Sequence, residues 1–240
     1  MPAIGSSAQT DSATKGPRPP ADPTERIEQA ILRGVLFPNE RLVEQDLAVR
    51  FNANRGAIRT ALAVLEQKNL VVRERNRGAR VRAVTEKEAV EIMELRGAIE
   101  ALIARHAALN VDQAGLDELN RQLKGMEAAA AAGDLYGYSS LNTIFHSSIA
   151  RLSECHNAER MLGGLCSQIV TLQYRPILEP GRAQELNLEH RDLVDCIAAR
   201  DPDRAAASMR RHLDNAVTAL KRAIAGKHTV PRVLLTDAFE

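Results

Sequence analysis

The chain has 240 residues, 45% of them apolar and 26% charged, with three cysteines, no tryptophan and only 3% aromatics. That composition excludes wholesale disorder, a disulfide-stapled scaffold and an aromatic-rich β-sandwich, while the length exceeds one ordinary core of roughly 100–150 residues, so two domains are expected. The net charge of +1 hides an asymmetry: residues 1–84 carry 14 Lys and Arg against 9 Asp and Glu, the rest carry 18 against 22, and all six histidines lie beyond residue 105.

Residues 1–22 are rich in Ser, Pro, Ala and Gly, have no periodicity and read as a disordered leader. They hold no basic segment followed by a long apolar run, so no secretion signal is expected. No window approaches the ~18 apolar residues of a membrane span. The odd cysteine count (Cys155, Cys166, Cys196) without a CxxC pair points to a reducing, cytoplasmic setting. Thr24 is placed to cap a first helix, in which Ile27, Ala30 and Ile31 recur at helical spacing up to Gly34. Phe37-Pro38-Asn39-Glu40 reads as a turn, and Leu42, Leu47 and Phe51 mark a second short helix. Asn54 can cap a third, with Ile58, Ala61, Leu62 and Leu65 on one face. After Lys68-Asn69 the period changes to two. Leu70 to Val72 and Ala79 to Arg82 flank a charged turn containing Gly78, which predicts a two-stranded hairpin. Three helices and a hairpin over residues 23–84 predict a winged helix-turn-helix.

From Thr85 onward only helical periodicity is present. The predicted helices are 86–109, 112–132, 135–153, 157–175, 182–199 and 202–225, with caps at Thr85 (Glu88 completing a capping box), Asp112, Asp134 and Asp201. The expected fold class is therefore mainly α: an N-terminal winged helix-turn-helix, then an all-α bundle of about six helices over 85–226. Residues 227–240 form a tail with no clear period.

Residues 54–82 hold eight Lys and Arg against Glu66 and Glu74. Arg55 and Arg59, four apart, share one face at the start of the third helix, the end that a recognition helix presents to the major groove. An arginine there can make paired bonds to guanine O6 and N7. Arg75, Asn76 and Arg77 form the hairpin tip beside Gly78 and can follow phosphates or enter the minor groove. Taken singly, these arginines fit any solvated surface; the order of elements around them makes double-stranded DNA the expected partner.

In the second half, polar residues interrupt apolar helical faces. Asn142 and His146 are four apart beside Phe145 and Ile149; His190 lies between Leu186 and Val194; His212 is in register with Met209 and Ala216. Three imidazoles and an amide oxygen fit either a divalent metal with open positions, Zn or Ni above all, or three hydrogen-bonded core residues. Arg96, four before Glu100, fits an intrahelical ion pair or a fork for a ligand carboxylate. Arg175, before Pro176, is a second candidate of that kind.

The series Gly34-Val-Leu-Phe-Pro, Arg41-Leu42, Glu44, Leu47-Ala48, Asn54-Arg55, Ile58-Arg59, Leu70-Val71 and Arg77-Gly78-Ala79 resembles the winged-helix domain of the GntR family of bacterial transcription regulators. The resemblance implies that Arg55 and Arg59 read bases, Asn54 contacts phosphate, and Arg77 and Gly78 make the wing contact. Asn54 stands where Ser or Thr is usual, and Gly56-Ala57 where a small residue and Pro are common. Arg96-xxx-Glu100, Asn142-xx-Phe145-His146, Glu189-His190 and Met209-xx-His212-Leu213 are similar to the FCD effector domain of the FadR-type branch. That similarity implies a divalent metal held by Asn142, His146, His190 and His212, with a small carboxylate effector nearby. The Asn142 position is Asp in many such domains, so a neutral oxygen here removes one unit of charge. The implied protein is a homodimeric, effector-controlled repressor, not an enzyme. A three-histidine site can also activate water, so a metal-dependent hydrolase tethered to nucleic acid by the basic front domain is the alternative; no HExxH motif supports it. A third reading keeps DNA binding and makes the helical domain purely structural.

Overall fold

The computed structural model describes residues 22–32, 34–74, 78–169 and 181–225. Arg75, Asn76, Arg77 and Arg175, named above as candidate contacts, lie outside these residues.

The N-terminal part runs α1 (Pro23–Leu32), β1 (Arg41–Leu42), α2 (Glu44–Arg50), α3 (Arg55–Gln67), β2 (Val71–Glu74) and β3 (Gly78–Val81). Its core is built from the apolar positions that set the helical periods: Ile27, Leu36, Ile58, Leu62 and Leu65 are all at most 2% exposed. Burying each such side chain stabilises the fold by about 1.5–3 kcal/mol. The predicted hairpin is present, but the sheet has a third strand, in the antiparallel order β1-β3-β2 with Arg41 opposite Arg80 and Val72 opposite Arg80. Two residues give no alternation to read, so β1 leaves no periodic signal. Its position follows from the turn before it: Asn39 takes a left-handed φ of 67°, and paired bonds Asn39 N to Val81 O and Val81 N to Glu40 O, both 2.9 Å, fasten that turn to β3. Asp22, rather than Thr24, caps α1: its Oδ1 accepts from the Thr24 amide at 3.0 Å and hydroxyl at 3.1 Å.

The C-terminal part is helical throughout its described residues: α4 (Glu86–Asn110), α5 (Gln113–Ala132), α6 (Leu135–Leu152), α7 (His156–Gln168), α8 (Arg182–Ala198) and α9 (Pro202–Ala225). α4, α5, α6 and α9 start where a side-chain oxygen accepts from a free backbone N–H, while α7 and α8 start without a side-chain cap. Asp112 accepts from Gly115 N and Asp134 from Gly137 N, both at 2.8 Å, and Asp201 from Arg204 N at 3.0 Å. Thr85 accepts from Glu88 N at 3.2 Å, while the Glu88 carboxylate turns to Arg82. The helix expected over 157–175 is described as far as Gln168. α4 and α9 lie alongside each other, with Gly97 against Leu213 and Arg105 paired with Asp203. Gly115 allows α5 to approach α6, since a Cβ there would sit 2.6 Å from Leu152 Cδ2.

The two parts have separate apolar cores, Ile27–Val81 and Ala89–Leu220. They meet at Arg82, whose Nη1 reaches Gln168 Oε1 at 3.4 Å and whose Nη2 pairs with Glu88.

Candidate metal centre and nucleic-acid interface

Helices α6, α8 and α9 bring His146, His190 and His212 together: one ring nitrogen from each lies within 4.8 Å of the others. His190 is fully buried, and the His146 and His212 side chains are 10% and 5% exposed. Two carboxylates, Glu100 buried and Glu189 partly buried, orient the outer pair of rings. His146 Nδ1 is 2.6 Å from Glu100 Oε2, and His212 Nδ1 is 2.7 Å from Glu189 Oε2. An ionised carboxylate can only accept, so each Nδ1 is the protonated nitrogen and each Nε2 keeps its lone pair. Two arginines, Arg182 buried and Arg96 partly buried, hold the carboxylates in turn. Arg96 donates from Nε at 2.9 Å and Nη2 at 2.7 Å to Glu100 Oε1, and Arg182 donates from Nη1 at 2.8 Å and Nη2 at 3.2 Å to the two oxygens of Glu189. The centre is thus flanked by two parallel chains, Arg96–Glu100–His146 and Arg182–Glu189–His212.

The charges fit that arrangement. Burial pushes the Glu100 carboxyl up, but Arg96 and His146 outweigh it and hold it well below the ordinary carboxylate range. Burial is likewise outweighed at Glu189, where His212 and Arg182 bring the value to about 2. His190 is driven well below the usual imidazole value, by burial first and then by His212, His146 and Arg182. Burial also lowers His212, against the pull of Glu189. Neutral rings are the form that ligates a metal.

Three groups around this centre have buried atoms without a hydrogen-bond partner: both ring nitrogens of His190, Asn142 Oδ1 and Arg182 Nε. Buried polar atoms without partners are costly, and a hydrogen-bonded core histidine would show one. Three imidazoles and an amide oxygen with two orphaned donors among them fit a borderline divalent ion such as Zn²⁺ or Ni²⁺, and carboxylate-held Nδ1 atoms are the usual outer support of such ligands.

A cavity of about 480 Å³ opens beside this cluster, lined among others by Arg96, Glu100, Asn142, His146, Arg182 and His212. Arg96 keeps Nη1 on Met93 Sδ at 3.4 Å, and its side chain is 12% exposed. The intrahelical pair with Glu100 expected from the sequence is therefore present, and the arginine still faces the cavity. Sequence reading missed Arg182, 6% exposed with its Nε unpartnered; its signal was the spacing Arg182, Leu186, His190, one stripe at i, i+4, i+8. It also gave no role to Glu189.

At the other end, Asn54 caps α3 by accepting from Ala57 N at 2.8 Å. Arg55 and Arg59 project from its first turns with side chains 63% exposed. Glu44 of α2 meets Arg59 in a two-bond fork, Nε–Oε1 3.1 Å and Nη2–Oε2 3.0 Å, and stands 4.0 Å from Arg55. The Arg59 hydrogen bond is the main reason that the Glu44 carboxyl is lowered. Arg73 of β2 donates to the Arg59 carbonyl at 2.7 Å, tying the sheet to α3. Gly78, at a φ of +85°, opens β3 with nothing within 4 Å of a Cβ position, a backbone conformation that favours glycine.

Family models match both parts: residues 24–81 match the bacterial regulatory proteins of the gntR family, and residues 91–215 match the FCD domain. Among curated proteins, the chain is 24% identical over 200 residues to the HTH-type transcriptional repressor RspR of Escherichia coli K12, covering 80% of this chain and 88% of that one. It is 27% identical over 208 residues to the E. coli repressor GlaR, covering 83% and 94%. Among solved structures, E. coli McbR/YncC aligns with a TM-score of 0.71 at 19% identity over 84% of this chain and 96% of that one. A GntR regulator from Rhodococcus sp. RHA1 aligns with a TM-score of 0.66 at 21% identity over 83% and 96%. These relatives are named as regulators, and the tethered-hydrolase reading falls with them. A winged helix-turn-helix joined to an FCD bundle places the chain in the GntR family of bacterial transcription regulators.

Proposed function

We propose that this regulator is a homodimeric, cytoplasmic repressor whose operator affinity is controlled by a small carboxylate bound in the α4–α9 cavity beside a divalent metal. The observation that carries the reading is His190, fully buried with both ring nitrogens unpartnered, between two imidazoles whose Nδ1 atoms are already committed to Glu100 and Glu189. FCD domains bind metals in some members of the family. His146, His190 and His212 would hold the ion, Zn²⁺ or Ni²⁺, with Asn142 Oδ1 as the fourth protein donor. When bound, the ion supplies a positive centre with open positions for an anionic ligand. Glu100 and Glu189 fix the ring tautomers. Arg96 and Arg182 lie in the cavity wall and serve as the cationic partners of the effector's carboxylate; Arg175 is kept in the same role by sequence alone. On the operator, Arg55 and Arg59 read bases, Asn54 contacts phosphate, and Arg75, Arg77 and Gly78 form the wing contact. The repressor sign follows the names of RspR and GlaR.

The test is a thermal-shift screen of small carboxylic acids with and without Zn²⁺ or Ni²⁺, on the wild type and on His190→Ala. A ligand that binds only the native state raises the melting temperature. The expected result is a metal-dependent carboxylate shift in the wild type, with metal retention and shift both lost in His190→Ala and effector-free operator binding kept within about tenfold. A His190→Ala protein that retains its metal and responds fully returns the histidines to the core.

A further inference from the structure

Two adjacent glycines interrupt α7. Gly163 and Gly164 lie in the interior of the helix His156–Gln168, where glycine favours the unwound chain over alanine about fivefold per residue. The other helical glycines among the described residues have a steric reason to lack a side chain. A Cβ on Gly56, Gly97, Gly115, Gly125 or Gly137 would stand 3.4 Å or less from a neighbouring side-chain atom. At Gly163 and Gly164 a Cβ would meet nothing within 4 Å. Neither has the positive φ that selects glycine at a helix end. With packing and backbone geometry both set aside, what glycine supplies at these positions is freedom to bend, and helices kink at such pairs.

The pair divides α7 by what holds it. Ala158 and Leu162, the buried residues of the helix, precede it. The turn after it is half-buried and ends at the buried Ile169. Leu162 before the pair and Cys166 after it both face the cavity, so a ligand there contacts both arms; Gly163 also lines the cavity, and Gly164 does not. Two side chains of the last turn close on the Gly164 carbonyl: Ser167 Oγ donates to it at 3.1 Å and Gln168 Nε2 at 2.9 Å. The other end of the Gln168 amide, Oε1, accepts from Arg82 Nη1, and Arg82 directly follows β3. One side chain therefore joins the glycine pair to the end of the hairpin. We propose that α7 bends at Gly163–Gly164 when the cavity fills, and that the bend moves the Gly164 carbonyl, turns Gln168 from Arg82 and so couples effector to operator. Hinge residues of this kind absorb the change in φ and ψ while the elements on either side stay intact. The proposal rests on the effector reading above and adds its moving part.

The experiment stiffens the hinge from outside the cavity. Gly164→Ala places a methyl group in open space, so the fold is kept. Hydrogen–deuterium exchange is followed on the full chain without effector. Gly164→Ala should slow the amides of residues 165–168 about fivefold and leave those of α4 and α9 unchanged. A carboxylate that raises the melting temperature of the wild type should raise that of Gly164→Ala equally. Its effect on the operator dissociation constant, read by fluorescence anisotropy, should fall at least threefold in the variant. Unchanged exchange in Gly164→Ala overturns the hinge. Slowed exchange with an undiminished effect on operator binding overturns its part in the response. Should no carboxylate shift the wild type, the effector reading fails and the coupling with it, while the exchange ratio still decides whether α7 bends.

Discussion

At the head of α3, Arg59 is held by Glu44 in a geometry that suits the proposed base reading. Its guanidinium spends Nε and Nη2 on the two oxygens of Glu44, which aligns the planar fork at the head of α3 and leaves donors for a guanine edge. The pair is well exposed, and exposed ion pairs contribute little to stability, so its effect is orientation. Arg59→Ala should therefore weaken operator binding roughly tenfold to hundredfold and relax base preference at one position per half-site. Fluorescence anisotropy against the operator and its single-base variants is the check; an unaltered dissociation constant on the operator would remove Arg59 from the reading set.

At the scale of elements, α8 shows how a helix can carry a ligand and its support on neighbouring positions. His190 points to the centre, while Glu189, one residue earlier, turns to His212 of α9 and is itself held by Arg182. Glu189→Gln keeps an acceptor for Nδ1 but removes the charge that makes the ring basic. Outer-support changes of this sort typically weaken metal binding ~10–100-fold; competition against a chelator of known affinity measures it, and an unchanged affinity would show that Glu189 only packs. Parts of this architecture were legible beforehand. The helices were, because Ile58, Leu62 and Leu65, or Phe145 and Ile149, repeat at a period that only a helix brings to one face, and because Asp112, Asp134 and Asp201 stop the chain at their starts. The three histidines were legible as polar residues on apolar faces. The carboxylates were not: Glu100 and His146 are 46 residues apart, and only the packing of α4 against α6 makes them neighbours. Glu189 in sequence looks like the solvated side of its helix, and β1 is too short to have a period at all.

At the scale of the whole molecule, two contacts between the N-terminal and C-terminal parts lie at one wall of the cavity. Leu32, the last residue of α1, packs on the N-terminal core and also lines the cavity. Arg82, immediately after β3, reaches Gln168, whose neighbours Ser167 and Ile169 line the same cavity. A ligand can change operator affinity only by binding differently to arrangements that also differ at the DNA-reading face, and on the proposed function the expected route is the end of α7, where Arg82 after β3 meets the cavity wall. Arg82→Ala also loses the pair with Glu88, a partly exposed contact worth at most about 1 kcal/mol, so the fold should survive. The variant should keep the carboxylate-induced rise in melting temperature, keep operator binding without effector within roughly threefold, and lose most of the effector's influence on that binding. Couplings of this type span ~5–150-fold and are reciprocal, so operator DNA should equally lose its influence on effector affinity. Titrations of each ligand in the presence and absence of the other close the cycle; an undiminished coupling in Arg82→Ala would place the transmission through Leu32 or the second copy instead.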